Sequence, residues 1–302
     1  MRVAAIDLGT NSTRLLVADV AAESVEEVER ALVITRLGEG VDARRQLLPL
    51  PVARVRNALT GFRRRTDELG AERALAVGTS AVRDSGNGEA FLGEVEWSYG
   101  FSTRLLSGAE EADLTFRGAT LGRNDVDGTM VVDLGGGSTE LVMDGRSASV
   151  DIGSVRMTEQ LGEDVDAIAA EVGARLPAGF APRKAIGVAG TITSLAALDL
   201  RLEAYDSERV HGHVLTAAAV DEQLRRLAAL PLEARRRLPS LEPERAPVIV
   251  AGAAVLREVL KQYGLGEIEA SEHDLLHAVA LEAAALPEPV EGDAPPGAYT
   301  CC

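Results

Sequence analysis

The chain of 302 residues is short of several residue classes, and each shortage narrows what it can be. Its two cysteines are the last two residues, Cys301 and Cys302, so no disulfide framework is expected to hold the fold. A terminal Cys-Cys is a lipidation signal in some settings, but in PPGAYTCC an unstructured tail is the plainer reading. Aromatic residues make up 3% of the chain against 46% for hydrophobic residues as a whole, so its cores must be mostly aliphatic. No uncharged apolar run approaches the roughly 18 residues needed to cross a bilayer. The N-terminus enters a strand-like pattern at once, RVAAIDLG, without a basic region followed by an apolar core. A cytoplasmic location with no membrane partner is the expectation.

Positive charge is also scarce: 31 basic residues face 47 acidic ones, for a net charge of −16. A broad nucleic-acid surface carries a basic face, so nucleic acid is not expected as a partner. A small anionic ligand is not excluded, because salt confines the general repulsion to about 8 Å. Lys184 and Lys261 are the only lysines. Arginine forks suit phosphate oxygens, although a global arginine bias is also a trait of composition.

What is present alternates. The segments VAAIDLG, STRLLVADV and VEEVERALVITRLG read as three strands. PVARVRNALTGFRRRTDELG follows with apolar residues Val52, Val55, Leu59, Phe62 and Leu69 near helical spacing, which places Arg63, Arg64 and Arg65 on a solvated face. Strand, helix, strand and helix then succeed one another in ERALAVGTSAVR, NGEAFLGEVEWSYG, STRLLS and AEEADLTFRGATL. After the polar turn GRNDVDG the order restarts, with strands expected near 129–134, 139–143 and 147–152 and one helix near 156–176. KAIGVAGTITSLAAL gives a strand, a Gly-rich turn and a helix, and TAAAVDEQLRRLAAL, ERAPVIVAGAAVLREVLKQYG and SEHDLLHAVALEAAA give three further helices. The expected division is 1–122 and 123–286, the last helix free to pack back on the first domain, with 287–302 a disordered tail.

The restart carries a repeated phrase. IDLGTNSTRLLV, residues 6–17, has a second copy at 132–143, VDLGGGSTELVM. Each copy is a strand, a small-residue turn and a strand, with an aspartate at the end of the first strand. Gly9, Thr10, Asn11 and Ser12 in one turn, and Gly135, Gly136, Gly137, Ser138 and Thr139 in the other, are candidate phosphate contacts. Three successive glycines allow positive φ and close backbone approach, and successive N–H groups can curl around an anion. A single such turn is often only a hairpin; two, each following an aspartate, favour phosphate. Gly190 and Thr191 open a helix after a strand, where unpaired N–H groups also attract phosphate; an ordinary helix cap by Thr191 or Thr193 is the alternative. Asp7 and Asp133 are candidate ligands for a divalent cation held with phosphate, or carboxylates that only tie down their own turns. In SGAEEADLTF, Glu110 and Glu111 are either first-turn acids suited to the helix dipole or, in a phosphate-transfer site, the base that activates water. Arg83 and Arg14 lie where their forks can reach anionic oxygens. His211 and His213 have metal-like spacing, but with no third ligand nearby a structural role is favoured.

Taken in order, DLGTNSTRL, GTSAVRDSGN, SGAEEA, DLGGGSTE, GVAGTITSLAAL, LPSLEPERAPVIVAGAAVL and SEHDLL resemble the exopolyphosphatase/guanosine pentaphosphate phosphohydrolase (Ppx/GppA) family of the actin-like ATPase superfamily. The likeness runs from residue 1 to about 285. It implies an α/β fold of two ribonuclease H-like domains with mixed sheets flanked by helices and an active-site cleft between them. It also implies hydrolysis of a terminal phosphoanhydride, with Glu111 as the catalytic glutamate and Glu140 as a second acid that holds water or metal. The metal would be Mg²⁺, or Mn²⁺ in its place, at Asp7, Asp133 and Glu140. Phosphate contacts would fall on the two turns, Arg14, Arg83, Gly190 and Thr191. The substrate would be inorganic polyphosphate, with guanosine pentaphosphate as the alternative; a low-turnover sensor and a sugar kinase rank behind these, because the paired acids of SGAEEA favour hydrolysis. Relatives often continue SEHDLL with Asp-Gly where this chain has His277-Ala278, a difference expected to concern packing. The oligomeric state is left open, a homodimer included.

Overall fold

The computed structural model describes residues 1–22 and 24–287, and these fall into two compact units. The expected disorder of 287–302 and any role of Cys301-Cys302 concern residues that lie almost wholly outside the described part.

The first unit comprises Met1–Ser107 and the segment from Leu275 onward. Its chain order is β1 (Arg2–Leu8), β2 (Ser12–Ala21), β3 (Ser24–Ile34), α1 (Val41–Arg44), α2 (Pro49–Glu68), β4 (Arg73–Gly78), α3 (Ser80–Arg83), α4 (Gly88–Tyr99) and β5 (Ser102–Leu105). The sheet runs β3-β2-β1-β4-β5, with β1 antiparallel to β2 and parallel to β4. Its central strand β1 is buried from Val3 to Leu8, as strands covered on both faces are. β3 is an edge strand, largely exposed and guarded by Glu26, Glu27 and Glu29, whose charges discourage a further strand from pairing. α2 starts with Pro49, where a missing N–H does no harm. It buries Val52, Val55, Leu59 and Phe62, and its arginines lie outward, Arg63 pairing with Asp67 at 2.6 Å and Arg65 with Glu29 and Glu68.

The second unit, Gly108–Asp274, repeats the plan. It contains α5 (Gly108–Ala119), β6 (Thr129–Leu134), β7 (Thr139–Met143), β8 (Arg146–Val150), α6 (Ser154–Leu161), α7 (Val165–Arg175), β9 (Lys184–Val188), α8 (Gly190–Asp199), α9 (Ser207–Val210), β10 (Val214–Thr216), α10 (Ala217–Ala229), α11 (Leu232–Arg235), α12 (Ile249–Gln262) and β11 (Glu267–Ala270). Its sheet runs β10-β11-β9-β6-β7-β8. Read from β8, the order is that of the first sheet, with β10 added at the far edge. Two α/β units of one strand order are what the ribonuclease H-like resemblance implies.

The last helix, α13 (Leu275–Ala285), packs on β1, β2 and β4 and so belongs to the first unit. Likewise α5 packs on β6, β7 and β8, which places the division at Ser107/Gly108 rather than at 122/123. The short strands β10 and β11 were not evident in the sequence. The single helix expected near 156–176 is two, because Gly162 takes φ 64° and Asp164 caps α7 by accepting from the Ala167 N–H at 3.0 Å.

Candidate functional site

The two repeated turns are close copies in backbone as well as sequence. In the first, the Gly9 N–H donates to the Ser12 carbonyl at 3.1 Å; in the second, the Gly135 N–H donates to the Ser138 carbonyl at 3.0 Å. Among the glycines of these turns none has positive φ. Their need for glycine is instead one of space: a Cβ at 9 would lie 2.9 Å from the Ser12 oxygen, and one at 135 would lie 3.0 Å from the Ser138 oxygen. Both Gly9 and Gly135 thus spend their N–H groups on closing the turn rather than on an anion.

Other turn residues are also drawn into the scaffold. The Gly135 and Gly136 carbonyls accept from the N–H groups of Ser154, Val155 and Arg156, so the turn caps α6 with its backbone. Gly137 accepts from the Arg156 guanidinium at 2.7 Å. Gly153 lies so close to Gly136 that any Cβ at 153 would overlap its carbonyl. Thr139 donates its hydroxyl to the Ile152 carbonyl at 3.1 Å, fully buried. In the first turn the Thr10 carbonyl accepts from Gly38 and the Asn11 carbonyl from Thr35 and Arg36. Thr10 and Asn11 are buried, while Ser12 is half-buried.

The residues that differ between the copies occupy one register position. Asp7 stands across the sheet from Arg14, and Asp133 stands across from Glu140. In the first unit this produces an ion pair: Arg14 Nε and Nη2 reach Asp7 Oδ2 at 2.9 and 2.8 Å, with both side chains largely buried. Arg14, expected to contact phosphate, and Asp7, expected to hold metal, are therefore each other's partners here. In the second unit the same position sets two carboxylates opposite one another.

A third carboxylate joins them. α5 buries Glu111, while its neighbour Glu110 is exposed. Burial pushes the Glu140 carboxyl well above the usual glutamate range, and repulsion from Glu111 and Asp133 pushes it further. Hydrogen bonds from Ser149, at 2.6 Å, and from Ser138 oppose the rise without cancelling it. Glu111, Asp133 and Glu140 thus form one electrostatic unit within Gly108–Asp274.

Their chemistry fits a hard divalent cation, whose charge would relieve this repulsion. No group of three His, Cys, Asp or Glu side chains among the described residues is disposed to hold a metal by itself. Mg²⁺ does not require such a cage, since it is commonly held by one or two carboxylates together with phosphate oxygens and water.

At the start of α8, Ala189 takes φ 72° and ψ 167°, a backbone region almost confined to glycine. Thr191 does not cap this helix; it faces α12, with its hydroxyl 2.6 Å from where a Cβ on Gly252 would sit. Against Gly190 lies Arg245, a residue of the segment ERAPVIVAG that local spacing does not mark as part of a site. Arg245 pairs with Glu242 at 2.8 Å and is mostly buried. Tyr205 lies nearby, bonded to Glu272 and Thr193 and within the field of Arg245; burial, then Glu272, raises its hydroxyl pKa.

Arg83 donates to the Leu106 carbonyl at 3.0 Å, within the first unit. His213 pairs with Asp199 at 2.8 Å, and His211 accepts from the Glu272 N–H at 3.1 Å, so the two histidines diverge into structural contacts. His277 and Ala278 are buried in α13.

Comparison with known proteins agrees with this architecture. The Ppx/GppA phosphatase family model matches residues 16–285. The chain is 39% identical to exopolyphosphatase 2 of Mycobacterium tuberculosis, over 94% of this chain and 98% of that protein. A crystal structure of an exopolyphosphatase-like protein superposes with a TM-score of 0.85 at 33% identity, covering 93% of this chain and 98% of that one. The Aquifex aeolicus Ppx/GppA family member superposes with a TM-score of 0.77 at 27% identity, covering 94% and 98%. With the paired turns and the buried carboxylates of SGAEEA and GGGSTE in place, the chain belongs to the Ppx/GppA phosphatase family.

Proposed function

We propose that the chain is an exopolyphosphatase that hydrolyses the terminal phosphoanhydride of inorganic polyphosphate and releases orthophosphate. The observation that carries this reading is the convergence of Glu111, Asp133 and Glu140 in one buried, mutually repelling group. Such a group is poised for a cation and for proton transfer rather than for binding a phosphate directly. The likeness to the mycobacterial exopolyphosphatase, over nearly the full length of both chains, supports the choice of polymer.

Asp133 and Glu140 would hold Mg²⁺ or Mn²⁺, which when bound supplies charge for the phosphate oxygens. Glu111, on the first turn of α5, orients a water and takes its proton as the water oxygen attacks the terminal phosphorus. The phosphorus–oxygen bond to the shortened chain breaks, and its electron pair leaves with that chain. Ser138 and Ser149 hold the Glu140 carboxyl by hydrogen bonds. The remaining glycine-turn N–H groups, the α8 start at Gly190 and Arg245 offer donors for phosphate oxygens.

A guanosine pentaphosphate 5′ end is the second reading, favoured by Tyr205. Tyr205 is 43% exposed as a residue and bonds Thr193 in the first turns of α8, and an aromatic ring there is a surface on which a base can stack. Phosphate release with Mg²⁺ from long polyphosphate, short polyphosphate, guanosine pentaphosphate and ATP separates these readings. Long polyphosphate is expected to be the best substrate; release from ATP alone would reject both readings.

A further inference from the structure

The repeated turns place an aspartate at the same position but restrain it differently. Asp7 is held by the Arg14 guanidinium, which cancels its charge. The matching position in the second copy is Glu140, so the residue across the strand pair from Asp133 is a carboxylate. Asp133 Oδ2 accepts from Thr115 Oγ1, at 3.1 Å in a fully buried hydrogen bond.

Thr115 belongs to α5, four residues after Glu111, and helical residues so spaced lie one above the other on one face. Thr115 is completely buried and Glu111 nearly so. This hydrogen bond connects the helix that carries Glu111 to the strand that carries Asp133. A hydroxyl can fix a carboxylate without neutralising it, whereas an arginine here would bring the charge that a metal or phosphate-bound cation is meant to bring.

We propose that Thr115 is a positioning residue: its hydroxyl sets the Asp133 carboxylate relative to Glu111 while leaving Asp133 negatively charged. This rests on the proposed function, in which Asp133 holds a cation and Glu111 directs water.

The test compares wild type with Thr115→Val, which keeps the shape but removes the donor, and Thr115→Ser, which keeps the donor but removes a methyl. Phosphate release is measured with Mg²⁺ on whichever of polyphosphate or guanosine pentaphosphate the wild type hydrolyses, and Mn²⁺ alone is titrated calorimetrically. Loss of an outer hydrogen bond to a ligating carboxylate lowers metal affinity or activity by about 10- to 100-fold. Thr115→Val is expected to lose that much in kcat and in Mn²⁺ affinity, with KM changed by less than about twofold. Thr115→Ser should stay within about threefold of wild type. If Thr115 only fills space, the order reverses, because serine leaves a cavity and valine does not. Thr115→Ser as slow as Thr115→Val or slower, or Thr115→Val at wild-type kcat, would overturn the proposal. A wild type that binds no Mn²⁺ and needs no divalent cation would instead refute the metal assignment, and the valine–serine contrast in kcat would still judge Thr115.

Discussion

Replacing Arg14 with Met tests the claim that the first turn neutralises its own aspartate. The Arg14 side chain is 15% exposed and that of Asp7 6%, so the pair is largely removed from water. Removing one partner of such a pair leaves a buried charge and costs about 3–5 kcal/mol, whereas an exposed pair is worth only about 0–1 kcal/mol. With an m-value of about 2 kcal/mol/M in urea, the larger loss lowers the unfolding midpoint by roughly 1.5–2.5 M. Trp97, the single tryptophan, lies in the same unit as the pair and provides a fluorescence signal for its unfolding. Adding Asp7→Asn to the Arg14→Met background removes the orphaned charge and should recover at least about half of the loss, a coupling that independent sites would not show. A loss below about 1 kcal/mol in Arg14→Met would mean that water screens the pair, and the contrast drawn between the two turns would fail.

The second turn predicts the opposite sign. The folded-state pKa of Glu140 is raised above its ordinary 4.5, so its contribution to stability is complete below that value and is lost as pH rises through the folded-state value. Metal-free Glu140→Gln should therefore melt above wild type at about pH 8, the gap closing toward pH 4.5; parallel melting curves in EDTA across that range would contradict this. Glu111→Gln should retain polyphosphate binding and lose about 100-fold or more in turnover, as measured by orthophosphate release, and near wild-type release would remove Glu111 from its role. Gly153→Ala would force a methyl into the Gly136 carbonyl; by overpacking it should destabilise the protein by about 1–3 kcal/mol or more, and an unchanged urea midpoint would show that the turn can yield.

The fold was legible because its signals are local and repeated. Glycine-flanked strand pairs, the proline-started α2 and the recurrence of DLG with ST at 6–17 and 132–143 each need only a short window of sequence. Glu111 and Glu140 were legible as candidates in the same way, since they sit in compact motifs. Their environment was not. The glycines were expected to supply positive φ, but the space taken by Ser12 and Ser138 oxygens and by Gly153 is a tertiary property. Arg245 meets Gly190 from far along the chain, and Thr115 meets Asp133 across a helix–sheet interface, so neither contact leaves a mark in local spacing. The Asp7–Arg14 pair is different: a tight antiparallel turn already sets those two residues opposite each other.

That shared register explains why the two copies diverge where they do. A strand pair joined by a tight turn offers one cross-strand neighbour to its aspartate, and the residue there decides the electrostatics of the whole turn. Arginine makes the first copy a self-contained brace. Glutamate makes the second unstable by itself, because Glu140 is fully buried against Glu111 and Asp133 and its hydrogen bonds from Ser138 and Ser149 do not cancel the penalty. A fold tolerates such strain when the rest of the unit is firmly packed, and the second unit supplies a continuous aliphatic core from Met130 through α12 to Ala270. Under the proposed function a bound cation, or a proton, would relieve this repulsion. The exchange of arginine for glutamate at this one register position thus separates a turn that neutralises its own aspartate from one that sets two carboxylates face to face.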